Sequence, residues 1–263
     1  MSSVMNAFNK ASKNYNKHAL VQNEIAARTN QKLDFINPNT ETIVDLGAGT
    51  GLLSSKITQR FPESNIICID FAHQSLANNE APLKVCADAN KIPLIDNSAD
   101  IIISSLMMQW CPNLDALFTE CFRVLKNDGL LLFSTFGPDT LKELKKSWSV
   151  VDNKVHVNTF TDMHDIGDQM LQNGFQNPVM EMDTLIIKYH SVLDLLRDLK
   201  GIGAQTVTNR SKSLTGKNNF NTMIQMYESF RKDEKLPATY EVIYGHAWKK
   251  SNPLGAISIK NKT

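Results

Sequence analysis

Apolar positions along this chain change their period twice, and the changes mark out its elements. From residue 4 to residue 36 they recur at helical spacing through Phe8, Tyr15, Leu20, Val21, Ile25 and Leu33. That predicts two helices, broken near Lys13-Asn14 and ended by Asn37-Pro38-Asn39. Short apolar runs then appear at 42–46, 64–69, 83–87, 100–105 and 130–136, each read as a strand. Between them lie helical stretches, one closed near residue 60 by Phe61-Pro62 and one at 113–126 with Asn127-Asp128-Gly129 as its stop. After residue 136 the pattern predicts helices at 139–150, 162–173, 192–200 and 220–231, with strands at 179–189 and 240–248. In the first of these, Leu141, Leu144 and Trp148 face inward, and Lys142, Lys145 and Lys146 outward. Strands alternating with helices argue an α/β fold with a doubly wound, mostly parallel sheet. The expected organisation is a single domain, with N-terminal helices over 1–38 and a sheet core over 42–189 and 237–250. Residues 190–236 read as a helical cap inserted before the last strand.

The chemistry concentrates in residues 43–51, Ile-Val-Asp-Leu-Gly-Ala-Gly-Thr-Gly. A strand runs into Asp45, glycines follow at every second position, and a helix begins. Glycine lets the backbone bend sharply and come close to a ligand. The spacing G-x-G-x-G differs from the G-x-G-x-x-G that seats a pyrophosphate on a helix N-terminus. A ligand with an ammonium, a ribose and a sulfonium but no phosphate, S-adenosylmethionine, suits Asp45 beside Gly47, Gly49 and Gly51; a plain glycine turn is the alternative. Asp70 stands about 20 residues on, where a doubly wound fold places a carboxylate for ribose hydroxyls. Asp88 ends the third strand, either as an acceptor for an adenine amino group or as the cap of a turn. The segment 106–110, Leu-Met-Met-Gln-Trp, is either core or the wall of an adenine or thioether pocket. Gly47, Asp70, Asp88 and Ser105 all fall at carboxyl ends of strands, where open α/β sheets bind ligands.

Composition narrows the class. Hydrophobic residues make up 42% and charged residues 21%, so disorder is not indicated. A net charge of +1 argues against nucleic acid or a membrane surface as partner. The N-terminal residues lack the apolar core of a secretory signal, and no apolar run approaches the ~20 residues of a membrane helix. Four cysteines show no C-x-x-C spacing, which fits reduced thiols and a cytoplasmic protein. The six histidines form no ligand pattern, so no metal is expected.

Residues 44–51, Asp70, Ala87-Asp88-Ala89 and Arg123-Val124-Leu125-Lys126 together resemble the class I S-adenosylmethionine-dependent methyltransferases. The outer segments are similar to one family among them. They are Tyr15 with His18 and Gln22, Gln109-Trp110-Cys111, Thr140-Leu141 with Glu143-Leu144 and Trp148, His156-Val157-Asn158 with Phe160, and residues 199–204. That family is the malonyl-acyl-carrier-protein O-methyltransferases of biotin synthesis. The resemblance implies a seven-stranded sheet whose last strand runs antiparallel, with a helical cap. It implies methylation of the free malonyl carboxylate, which lets the thioester enter fatty-acid elongation. By the same resemblance, Asp45, Gly47, Gly49, Gly51, Asp70, Asp88 and Ala89 contact the cofactor, and more loosely Ser105 and Leu106. Asn127-Asp128-Gly129 departs from the Pro-Gly-Gly-like turn of many relatives, far from the chemistry.

Such a reaction asks little of the protein, because a carboxyl of ordinary pKa, about 4, is ionised at neutral pH and needs no general base. The carboxylate must still be held without burying its charge unpaired. Tyr15, His156, Arg197 and Lys200 are the candidates for that. The rival readings are a methyltransferase for a small molecule such as a quinone precursor, and a nicotinamide-dependent oxidoreductase. The substrate would be malonyl-acyl carrier protein or malonyl-CoA. Carrier proteins are acidic, so a basic face is expected near the site. Residues 197–217 hold Arg197, Lys200, Arg210, Lys212 and Lys217 against Asp198, with Lys142, Lys145 and Lys146 next in line.

Overall fold

Ile43, Val44 and Leu46 are buried, as are Ile101, Ile102 and Ile103. Strands that are apolar on both faces belong inside a sheet covered on both sides. In the computed structural model, which describes residues 2–35, 40–204 and 216–250, β1 (Thr42–Leu46) and β4 (Ala99–Ser105) pair in parallel at the sheet's centre. On one flank β2 (Asn65–Asp70) and β3 (Leu83–Cys86) continue in parallel; on the other, β5 (Leu125–Phe136) does. The last strand, β7 (Leu236–Lys249), runs antiparallel to both β5 and β6 (Gln176–Tyr189). The seven-stranded order is β3-β2-β1-β4-β5-β7-β6. A doubly wound, mostly parallel sheet with one antiparallel strand is therefore what the chain adopts.

Alternation along the central strands feeds two cores. Val44, Leu46, Ile102, Leu131 and Phe133 pack with Leu117, Phe118 and Val124 of α6 (Leu114–Val124), and with Ile166 and Met170 of α8 (Met163–Gln172). Ile43, Ile101, Ile103, Leu130 and Leu132 pack on the other side with Ile57 of α4 (Ser54–Arg60) and with Ala26 and Leu33. Ala26 belongs to α3 (Leu20–Gln31), which follows α1 (Ser2–Ala11) and the single turn α2 (Tyr15–His18). A third apolar cluster stands beside the first two. It joins Val21 and Ile25 of α3 to Leu144 and Trp148 of α7 (Lys142–Ser149), and to Leu195 and Met223 of two helices lying between β6 and β7. These are α9 (Val192–Gly201) and α10 (Lys217–Glu228).

Two expectations shift. The N-terminal segment forms three α-helices and a 3-10 turn at Lys32–Phe35, in place of two helices. The helix expected over 113–126 ends at Val124, and Asn127-Asp128-Gly129 lies inside β5, with Asp128 at φ 60° and a register shift between Ala99 and Ile101 opposite it. The reason is tertiary, since a helix ends where its last carbonyls find partners outside it. The Ser98 and Asn97 amides donate to the carbonyls of Val124 and Arg123. Lys249 Nζ donates to those of Phe122 and Leu125 and to Asn97 Oδ1 (2.7, 2.8 and 2.8 Å).

Candidate active site

The glycine turn is fastened to the end of β2. Gly47 and Ala48 N–H both donate to the Ile69 carbonyl (2.7 and 3.1 Å). Gly49 N–H donates to Asp70 Oδ2 (2.8 Å), while Asp70 Oδ1 accepts from Ala72 N–H (2.7 Å). All three glycines have positive φ, yet they serve different ends. A Cβ at Gly47 would collide with the Met107 side chain at 2.3 Å, and one at Gly51 with Asn79 Oδ1 at 2.8 Å. A Cβ at Gly49 would meet nothing nearer than Asp70 Oδ2 at 3.9 Å. Gly49 alone therefore faces open space.

That space is a cavity at the carboxyl ends of β1, β2 and β4. Tyr15, Gly47, Gly49, Asp70, Asp88, Ala89, Ser105 and Leu106 line it together. Gly51 does not; it packs on Asn79 below the turn. Asp45 sits deeper, in a recess that shares Tyr15, Gly47, Gly49 and Ser105 with the cavity. Its Oδ2 accepts from Ser54 Oγ (2.5 Å) and its buried Oδ1 has no hydrogen-bond partner among the described residues. Burial, with the charge of Asp70, pushes the Asp45 carboxyl up to about 7. Burial also raises Asp70, although backbone amides oppose the shift. Asp88 Oδ1 accepts from Asn90 N–H (2.9 Å), so it closes a turn and lines the cavity at once. The Tyr15 hydroxyl is pushed well above its ordinary value by burial and by Asp70, which keeps it protonated, a donor and not a base. Phe8 of α1 stands edge-on to Trp110 at 5.3 Å, and both rings line the cavity with Met107. Leu106 holds a left-handed backbone (φ 54°), its N–H on the Ser134 carbonyl and its own carbonyl accepting from Gln109 Nε2. A leucine there is strained, and the neighbours hold it.

These features fit S-adenosylmethionine. The open face at Gly49 admits close approach, and the orphaned Asp45 oxygen suits a cationic group. Asp70 keeps lone pairs for hydroxyls after its two amide contacts.

Trp110 is a shared wall. Behind it lies a second cavity, of about 400 Å³, lined by Gln22, Trp110, Trp148, His156, Lys200 and Tyr240 among mostly apolar neighbours. His156 lies flat on Trp148 (3.8 Å between centroids, 6° between planes), and its Nε2 meets Asp152 Oδ1 at 2.7 Å. Lys200, in the last turn of α9, has no ion-pair partner among the described residues. Arg197 lines neither cavity; it is exposed on α9 and paired with Asp194 (2.7 Å). So the four substrate candidates part company, with Tyr15 beside the turn, His156 and Lys200 across Trp110, and Arg197 outside. Arg210 and Lys212 lie outside the described residues.

Gln22 was not among the candidates. It lines both the second cavity and the recess beneath Asp45, it is 8% exposed, and its Oε1 is buried without a partner among the described residues. A signal was present in the sequence. Gln22 falls on the apolar side of α3 with Ile25, Ala26 and Thr29, and a polar group at such a position needs a partner.

Residues 44–133 match the family profile described as methyltransferase domain. A malonyl-[acyl-carrier protein] O-methyltransferase of Gallionella capsiferriformans is 42% identical, over 97% of this chain and 93% of that protein. Another, from Coxiella burnetii, is 42% identical over 93% of this chain and 86% of its own length. The chain belongs to the malonyl-[acyl-carrier protein] O-methyltransferase family. It is a methyltransferase of the S-adenosylmethionine-dependent kind, and the oxidoreductase reading falls away. Solved structures agree on the fold. The YcgJ protein of Bacillus subtilis superposes with a TM-score of 0.61 at 14% identity, over 87% of this chain and 99% of that one. A Haemonchus contortus phosphoethanolamine N-methyltransferase bound to S-adenosylmethionine gives 0.57 at 16%, over 92% and 57%.

Proposed function

We propose that this chain transfers a methyl group from S-adenosylmethionine to the free carboxylate of malonyl-acyl carrier protein, giving a methyl ester thioester for fatty-acid elongation. The observation that carries the reading is the pair of cavities meeting at Trp110 and Gln22, in a chain akin throughout its length to enzymes of that name. One cavity has carboxylates for a cationic, hydroxyl-bearing ligand. The other is mostly apolar, with Gln22 on the side where it adjoins the recess beneath Asp45.

When bound, the cofactor supplies an activated methyl group on its sulfonium. Asp45 Oδ1 would pair with the ammonium, Gly49 would let the cofactor lie close to the turn, and Asp70 would accept from the ribose hydroxyls. Asp88 and Ala89, which line the same cavity, would border the adenine. Gly51 acts at one remove, by shaping the turn against Asn79. On the acceptor side the malonyl carboxylate arrives ionised, so no residue need remove a proton. Gln22, whose Oε1 is buried without a hydrogen-bond partner among the described residues, stands at the junction; its amide Nε2 donates to that carboxylate and so aims one oxygen at the donor side. Lys200 offsets its charge from the rim, His156 borders the acyl group, and Tyr15 donates from the donor cavity. Trp110, Trp148 and Phe8 exclude water. We place the protein in the cytoplasm, in keeping with four free thiols. No helix among the described residues is long and apolar enough to cross a membrane.

The test is to incubate the protein with methyl-labelled S-adenosylmethionine and malonyl-acyl carrier protein, with phenols in parallel. A base-labile label on the malonyl group is expected. Label on phenols and none on malonyl-carrier protein would overturn the reading in favour of a small-molecule enzyme.

A further inference from the structure

A groove runs along the outer face of the sheet's β6 edge, between α7 and the turn that joins α10 to β7. Its basic residues are Lys142, Lys146, Lys188, Arg231, Lys232 and Lys235. Two are already neutralised. Arg231 holds Glu228 with two hydrogen bonds (2.7 and 2.9 Å), and Lys142 meets Asp139 at 3.3 Å. Glu143 is turned inward and accepts from Thr239 N–H and Oγ1. Lys146, Lys188, Lys232 and Lys235 remain, with no acid partner among the described residues. Lys232 and Lys235 are set by a tight turn in which each backbone N–H donates to the other's carbonyl (2.9 and 2.9 Å). At the turn's tip Asp233 and Glu234 take left-handed backbones, φ 47° and 60°. Lys146 Nζ lies 5.7 Å over the Phe230 ring, and Ile186, 52% exposed, lines the same groove. An apolar centre rimmed by cations is the anatomy of an interface for an acidic protein. Four unpaired lysines against Asp233, the groove's acid besides the inward-turned Glu143, are a local excess in a chain of net charge +1.

The groove is also close to the acceptor side. Leu144 and Trp148 of α7 line the second cavity, while Lys142 and Lys146 of the same helix line the groove. On β7, Tyr240 faces the cavity and its neighbour Thr239 the groove. The two are one helix apart, about 10 Å.

We propose that this groove is where the acidic carrier protein docks, with its acyl arm reaching around α7 into the second cavity. The proposal rests on the carrier protein being the substrate. It joins Lys188, Lys232 and Lys235 to Lys142 and Lys146 of α7, and leaves out Lys145, whose Nζ is spent on the Pro138 carbonyl (2.7 Å).

The test is the triple variant Lys146→Glu, Lys188→Glu, Lys232→Glu, with binding of malonyl-acyl carrier protein followed by calorimetry at low salt. Affinity for carrier protein should fall at least about tenfold, while affinity for S-adenosylmethionine, which reports folding, stays at the wild-type value. Wild-type carrier binding should itself weaken as salt rises. If the triple variant loses the cofactor as well, the same three positions changed to Gln replace it, and a smaller drop in carrier affinity is expected. Unchanged carrier affinity in a folded variant overturns the docking face and leaves the reaction standing. Failure of the wild type to methylate malonyl-carrier protein strikes the reaction itself, and failure to bind it overturns both.

Discussion

The two cavities on either side of Trp110 are built by different means. On the donor side the backbone does the fastening. Asp70 is held by the amides of Gly49 and Ala72, Asp88 by that of Asn90, and the turn by the Ile69 carbonyl. On the acceptor side single side chains reach in from separate elements, Gln22 from α3, Lys200 from α9 and His156 from the stretch after α7. A donor site that binds the same ligand in every methyltransferase of the fold is well served by fixed backbone. An acceptor site must match one substrate, and side chains on peripheral helices provide that without disturbing the sheet.

The contrast breaks most cleanly at the glycines. Gly49→Val should abolish S-adenosylmethionine binding, because its side chain would fill the cradle, while Gly49→Ala, with its nearest neighbour at 3.9 Å, should weaken binding less. Calorimetry with a circular-dichroism check of folding decides it. Wild-type affinity in the valine variant would remove the turn from the site.

Next in size is a pH effect confined to the donor side. Between its ordinary value of 3.8 and about 7, Asp45 carries a proton in the folded chain that the unfolded chain has released. By linkage the free protein therefore loses stability as pH rises through that window. A cation against Oδ1 favours the ionised form. Cofactor affinity should accordingly rise across the same window, by at most about tenfold per pH unit. Asp45→Asn should flatten both dependences, measured as melting temperature and dissociation constant at about pH 6 and pH 8. A wild-type affinity that does not change with pH would separate Asp45 from the cofactor.

The smallest expected effect lies on α9. Lys200→Ala should raise the Michaelis constant for the malonyl substrate severalfold, and Arg197→Ala, outside both cavities and tied to Asp194, should leave it alone. Steady-state kinetics on the two variants side by side checks this, and equal effects would deny the acceptor cavity its rim.

How far the sequence could be read follows the same division. The triple isoleucine of β4 and the run into Asp45 mark buried strands because a parallel sheet demands apolar residues on both faces. Asp70 was legible because topology fixes its distance from the turn. Gly51 was harder, since nothing local says that its missing side chain makes room for Asn79 and not for a ligand. The end of α6 at Val124 depends on Lys249, far along the chain, and no local stop signal encodes it. Arg197 is harder to read, since its partner Asp194 lies one helical turn earlier, just outside the basic stretch 197–217. Gln22 was legible in principle, as a polar residue on an apolar helix face, but only the structure shows that this face meets two cavities.

That junction carries the central claim, that donor and acceptor occupy separate cavities joined at Gln22. The most direct measurement is the rate of labelled methyl ester formation on malonyl-acyl carrier protein by Gln22→Leu, with cofactor affinity measured on the same sample. Loss of one hydrogen bond to a charged acceptor predicts a rate roughly tenfold to a hundredfold lower, with the dissociation constant for S-adenosylmethionine unchanged. A wild-type rate from this variant, or a loss that appears wholly in cofactor binding, would contradict the account.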